Sequence, residues 1–167
     1  MSTVTDRVDE IMASWRTELP AALGPTTELG KRVMMLAAEL NEVTRRELPA
    51  LGLTPAEFDV LAALRRAGPP YRMKPNELTK SLLLSSGGTS NVVNHLVAAG
   101  LVIRDADHDD RRGTWVALTA DGVRLAEKAV LANTAAHADV FTGVPPDIVT
   151  AAIEALRAVD AARRRAR

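Results

Sequence analysis

Six side chains that can donate or accept hydrogen bonds, Ser86, Thr89, Ser90, Asn91, Asn94 and His95, crowd into one short stretch. Val93, Leu96 and Val97 are interleaved with them at helical spacing, so one side of a helix would be apolar and the other polar. Serine, threonine, asparagine and histidine on an outer face suit the edges of base pairs in a major groove, where asparagine pairs naturally with adenine. Gly87 and Gly88, in the first turn, would let backbone N–H groups come close to a phosphate. Arg111 and Arg112 follow in a polar loop, and an extended arm of that kind can carry cations into an adjacent minor groove. Polar residues on a helix are also what any wet face presents. The face alone leaves both readings open.

Catalytic chemistry finds less support. His95, His108 and His137 are too far apart to form a spacing motif. The chain has no G-x-S-x-G, no G-x-x-x-x-G-K-[ST] and no H-E-x-x-H. Asp107-His108-Asp109-Asp110 holds possible ligands for a divalent ion, but consecutive loop residues cannot all face one metal. No enzyme, metal site or cofactor is expected.

The elements that must position these groups lie between Lys74 and Thr119. Pro75, with its fixed φ, suits the first position of a helix carrying Leu78, Leu82 and Leu83 inward. Ser85 or Ser86 can cap a second helix, and Gly100 can end it in the left-handed conformation. Leu101-Val102-Ile103 and Trp115-Val116-Ala117-Leu118 are short β-prone runs around the solvated loop from Asp105 to Gly113. Helix, turn, helix and hairpin in that order describe a helix-turn-helix with a wing. The order favours nucleic acid over a plain wet face.

Charge gives no help. The chain is neutral overall, and Lys74 to Leu118 holds five basic residues (Lys74, Lys80, Arg104, Arg111, Arg112) against five acidic ones (Glu77, Asp105, Asp107, Asp109, Asp110). DNA binding would have to come from charge placement. The neutral lobe keeps open a small-molecule-binding protein, or a protein-interaction winged helix, without specific DNA binding.

Outside this lobe the chain reads as helices. Val4, Val8, Ile11, Met12, Trp15 and Leu19 form one stripe, ended by Pro20 and Gly24-Pro25, with Trp15 most simply a core anchor. Leu29, Val33, Leu36, Leu40 and Val43 step by four and three along a long helix, read here as a buried scaffold. Thr54-Pro55-Ala56-Glu57 is a capping box opening a helix with Phe58, Leu61 and Leu64. Thr119 can cap a helix running to about Phe141, and Ile148, Ala152, Ile153, Leu156 and Val159 mark a last one. Apolar helices at both ends, outside the lobe, suggest a helical dimer interface. At 167 residues, with 47% hydrophobic and 25% charged residues, this is one ordinary globular domain's worth of chain. Absence of cysteine excludes disulfides and thiolate metal sites. With no apolar run long enough to span a bilayer and no signal-peptide pattern, a cytoplasmic location is expected.

Asp110-Arg111-Arg112-Gly113, followed by Leu118-Thr119 and Gly122, resembles the D-x-R…L-T-x-x-G signature of MarR-family regulators. Leu53-Thr54 to Leu64 and Ala98-Ala99-Gly100-Leu101-Val102 fit the same family, and the resemblance spans roughly residues 28 to 165. It implies a mainly α fold: a winged helix-turn-helix with a small β-hairpin wing and a helical dimerisation region. The expected organisation is an N-terminal helix in 1–24, a scaffold helix in 26–52, the DNA-binding lobe in 53–119 and dimerisation helices in 120–167. It also implies a homodimer that represses from a palindromic operator on double-stranded DNA and is released by a small ligand. Arg112 would be the wing arginine and Asp110 the carboxylate that orients it. The extra N-terminal helix with a tryptophan is similar to the urate-responsive, PecS-like branch, where that helix packs over the ligand pocket. By that resemblance Trp15, Asp59 and Arg104 would bind a small aromatic or purine-like anion. Val92 stands where the branch has a second arginine, which removes one cationic partner for urate itself.

Overall fold

The computed structural model describes residues 5–82, 86–106 and 113–166. Helix α1 (Arg7–Glu18) starts at a capping box built from two aspartates. Asp6 accepts from the backbone N–H groups of Val8 and Asp9, and the Asp9 carboxylate accepts from the Asp6 N–H. Long helix α2 (Pro25–Glu47) follows a short 3-10 turn at Pro20–Ala22. Arg32 of α2 ties the two helices together. Its guanidinium reaches Asp6 and Asp9 at 2.6 Å each and Glu28 at 2.9 Å.

Helix α3 (Pro55–Arg66) begins at the Thr54–Glu57 capping box expected from the sequence. The Glu57 N–H donates to the Thr54 hydroxyl at 3.3 Å, and the Glu57 carboxylate accepts from the Thr54 N–H at 2.8 Å. Strand β1 (Arg72–Met73), helices α4 (Pro75–Leu82) and α5 (Ser86–Ala98), and strands β2 (Val102–Ala106) and β3 (Thr114–Leu118) complete the lobe. Gly100 takes φ of 72° after α5, as its position required.

The sheet corrects one expectation. It has three strands in the order β1-β3-β2, all antiparallel neighbours, where the sequence predicts only the β2–β3 hairpin. Val102 pairs with Leu118 and Ala106 with Thr114 across the hairpin, while Arg72 pairs with Ala117 and Met73 with Val116 on the other edge. A two-residue strand carries too little periodicity to be seen before its partner is known.

The helices and the long strands of the lobe share one core. Leu61 and Leu64 of α3, Leu78 of α4, Val93 and Leu96 of α5, Val102 of β2 and Val116 of β3 are all essentially solvent-free. Helix α6 (Ala120–Val140) adds Ala126 and Ala129, and its cap is the Thr119 hydroxyl, which accepts from the Gly122 N–H at 3.0 Å. That hydroxyl also lies 2.8 Å from the carbonyl of Gly100 and 3.2 Å from that of Leu101. Gly122 packs against Leu101 so tightly that a Cβ there would meet the Leu101 carbonyl oxygen at 2.0 Å.

Helix α6 also runs along α2, and a polar cluster sits between them. The Thr44 hydroxyl is 2.8 Å from Asn133 Oδ1 and 2.8 Å from His137 Nε2, which in turn lies 3.2 Å from the Leu40 carbonyl. Helix α7 (Pro146–Arg165) closes the chain.

Two further expectations are overturned. No residue of α2 is buried by this chain, so its Leu29, Val33 and Leu36 stripe lies open instead of serving as a buried scaffold. Trp15 is 42% exposed and is no core anchor; Val8 and Met12 are the α1 residues that bury. Regular apolar spacing says that a face is to be covered, not that its own chain covers it. Among the described residues no helix is long and apolar enough to cross a membrane.

Candidate nucleic-acid interface

Helix α5 is amphipathic in the sense the interface needs. Val93 and Leu96 pin one side into the core, and Ser90, Asn91, Asn94 and His95 stand exposed on the rest. Thr89 departs from the expectation. At 3% exposure it shares the inner face with Val93 and Leu96, because positions 89, 93 and 96 step by four and three. Val97 goes the other way and is 38% exposed. Ser86 begins the helix, but its side chain and residue 85 lie outside the described residues, as do Asp110, Arg111 and Arg112.

Arg104 belongs to this surface. Strand β2 places it opposite Val116, on the side of the sheet that meets α5. Its guanidinium donates to Oδ1 of Asn94 at 2.9 Å. Both side chains remain open to solvent. Behind them lies a cleft of about 230 Å³ between α4, α5 and the sheet, walled by Pro75, Leu78, Thr89, Val93, Arg104 and Val116. A cation at the rim of a largely apolar cleft is a fitting arrangement for a small flat anion.

The other two expected ligand residues are elsewhere. Asp59 sits on α3 and off the wall of this cleft; its partial burial pushes the carboxyl above the usual carboxylate range. Trp15 sits on α1, which packs against α2. Trp15, Asp59 and Arg104 are therefore not brought together around the cleft.

The outer face of the sheet holds a group that spacing alone did not reveal. The Arg72 guanidinium lies 4.4 Å and the Lys74 ammonium 4.3 Å from the centre of the Trp115 ring. The indole attracts both cations through its π-face without neutralising their charge. The signal was present in the residue types, but it needed β1 to be recognised as a neighbour of β3. Nearby, Arg65 stacks over Tyr71 at 4.8 Å and pairs with Glu127 at 2.8 Å.

Known proteins share this fold. Residues 51–113 match the model of the MarR family. The regulator PecS of Dickeya dadantii (strain 3937) is 28% identical over 138 residues, which cover 81% of each chain. The multiple antibiotic resistance protein MarR of Escherichia coli (strain K12) is 31% identical over 100 residues, 60% of this chain and 67% of that one. A crystal structure of a mutant MarR from E. coli, complexed with operator DNA, superposes with a TM-score of 0.68 at 25% identity, over 87% of this chain and 96% of the other. Bordetella bronchiseptica BpsR, whose DNA binding is regulated by 6-hydroxynicotinic acid, superposes with a TM-score of 0.68 at 25% identity, over 83% and 96%. These relatives are regulators and not enzymes, and the winged helix built here from its caps, core and sheet is theirs. The chain belongs to the MarR family of DNA-binding transcriptional regulators.

Proposed function

We propose that this chain represses transcription as a homodimer on a pseudo-palindromic operator and is released by a small aromatic anion. The observation that carries the reading is the exposed Ser90-Asn91-Asn94-His95 face of α5, braced from behind by Val93 and Leu96 and from the side by Arg104. Ser86 at the head of α5 would join that face. Arg111 and Arg112 would enter the minor groove, with Asp110 orienting Arg112. Two copies would present their α5 helices to one side of B-DNA, so the half-sites should lie about 10 base pairs apart. The open stripes of α2 and α7 supply apolar surface for pairing.

The anion would enter the cleft beside Arg104. Pulling on that guanidinium disturbs the brace on α5, which gives the ligand different affinities for the bound and released states. A coupling of about 1–3 kcal/mol would lower DNA affinity some 5- to 150-fold. Trp15 and Asp59 are left out of this site. The missing cation at Val92 argues against urate. BpsR, regulated by a hydroxylated pyridine carboxylate, is a relative of similar fold with a ligand of this class.

Fluorescence anisotropy with DNA flanking the chain's own gene tests the reading. Tight binding is expected, with a salt slope that falls by about one unit in Arg112→Ala. Aromatic acids should release the DNA from wild type and fail on Arg104→Ala. Absence of binding at low salt would overturn the DNA reading; equal release from both proteins would remove Arg104 from the ligand site.

A further inference from the structure

We infer that Arg104 is a positioning residue for base recognition: it turns the Asn94 amide so that the recognition helix presents a hydrogen-bond donor, not a donor–acceptor pair. The inference rests on the proposed reading that α5 contacts bases. Arginine carries only donors, so the 2.9 Å contact from its guanidinium settles which end of the Asn94 amide faces it. Oδ1 faces Arg104, and the NH₂ group therefore faces away. Asn91 and His95 stand exposed beside Asn94, so an NH₂ group turned to that side would meet the groove.

The consequence for sequence preference follows from the groove itself. Asparagine recognises adenine with both ends of its amide, accepting from N6 and donating to N7. With Oδ1 already accepting from a cation, the acceptor half of that pairing is weakened and its approach is crowded by the guanidinium. What remains is the donor half. Guanine offers two adjacent acceptors, O6 and N7, and thymine offers O4, whereas adenine offers only N7 with the N6 amino group, itself a donor, crowding beside it. The wild-type chain should therefore prefer guanine or thymine under Asn94, against the adenine preference that an isolated asparagine would suggest. The sheet makes this a property of the wing as well as of the helix, since Arg104 is fixed by its pairing with Val116.

The test is selection of bound duplexes from a random-sequence pool, followed by sequencing, for wild type, Asn94→Ala, Arg104→Ala and Arg104→Lys. Circular dichroism melts of the same proteins report folding. One position per half-site should lose its preference in Asn94→Ala. At that position wild type should select guanine or thymine over adenine by about tenfold, the order expected of one good base contact. Arg104→Ala should shift the preference toward adenine, while Arg104→Lys, which retains a donor and the charge, should keep the wild-type base. Loss of a phosphate contact alone would weaken all sequences equally and move no base. If Arg104→Ala selects the same base as wild type, or if Asn94→Ala leaves the selected sequence unchanged, the inference is wrong. If folded wild type selects no sequence at all, the DNA reading beneath it is what fails.

Discussion

The winged lobe and the helices α2 and α7 place their apolar residues in opposite ways. In the lobe, Leu61, Leu64, Leu78, Val93, Leu96, Val102 and Val116 close on one another until almost nothing of them reaches water. In α2 and α7 no residue is buried, and Leu29, Val33, Met34, Ile148, Ile153 and Leu156 all stand open. Exposed apolar residues are ordinary one at a time, but stripes along two helices are a surface that expects company. The lobe is finished by its own chain. On the proposed reading, α2 and α7 are finished by a second copy.

The largest effect should come from the open side. Ile153→Glu with Leu156→Glu puts two charges per chain into the proposed interface, where burial of an unpaired charge is prohibitive. Sedimentation should show a monomer at micromolar concentration, while melting still reports a folded lobe. A dimer that survives would break the comparison outright. On the closed side, Leu64→Ala should cost about 2–5 kcal/mol in denaturant unfolding, since the side chain is fully enclosed. A cost much below about 1 kcal/mol would mean the lobe is looser than described.

Between the two regions lies the α2–α6 contact. Thr44→Val keeps the shape but removes the hydroxyl from Asn133 and His137, and Asn133 is only 9% exposed. A loss of about 1–3 kcal/mol is expected, the usual cost of an unmet buried polar group. A neutral result would show that water replaces the hydroxyl.

The smallest effects are pH effects, and their signs differ between the regions. Asp6 on α1 is lowered by the backbone N–H of Asp9 and by Arg32, so the stability it contributes is present above the ordinary aspartate value of 3.8 and is lost as pH falls through its depressed folded value. Asp59 on α3 is raised by burial, so it carries no cost below 3.8 and its full cost appears only above its elevated folded value. Asp59→Asn should therefore stabilise slightly at neutral pH and not at all in acid. Asp6→Asn should destabilise at neutral pH, and its gap to wild type should close in acid. Melting curves from strongly acidic to neutral pH distinguish them, and equal behaviour of the two variants would refute the assignment.

The lobe was legible in the sequence because its signals are local. Thr54, Pro55 and Glu57 announce a helix start within four residues, Pro75 and Gly100 mark a start and a stop, and Thr119 caps the next helix. What was not legible depends on partners distant in the chain. Strand β1 needed β3 to exist, and the Arg72–Trp115–Lys74 stack needed β1. Thr89 was misplaced because its chemistry suited the groove, although its spacing from Val93 and Leu96 put it inward. The α2 stripe showed a face to be covered but could not say by what. The Asn94–Arg104 bond joins residues from two elements, and no spacing rule predicts it.

The joint at Gly100, Leu101, Thr119 and Gly122 has a mechanical consequence. One hydroxyl reaches the end of α5 and the start of β2 while capping α6, and the Gly122 backbone lies hard against Leu101 with no room for a methyl group. Recognition helix, wing and α6 are thus welded at a single corner. Rotation within that corner would be resisted, so any tilt of α6 would carry the lobe with it, as the arm of a lever carries its head. The 21 residues of α6 make an arm of about 31 Å, and tilting it by about 5° about its far end carries the head roughly 3 Å. That is close to the rise of one base pair in B-DNA. On the proposed reading, a slight change of angle far from the groove would be enough to put two recognition helices out of step with their half-sites.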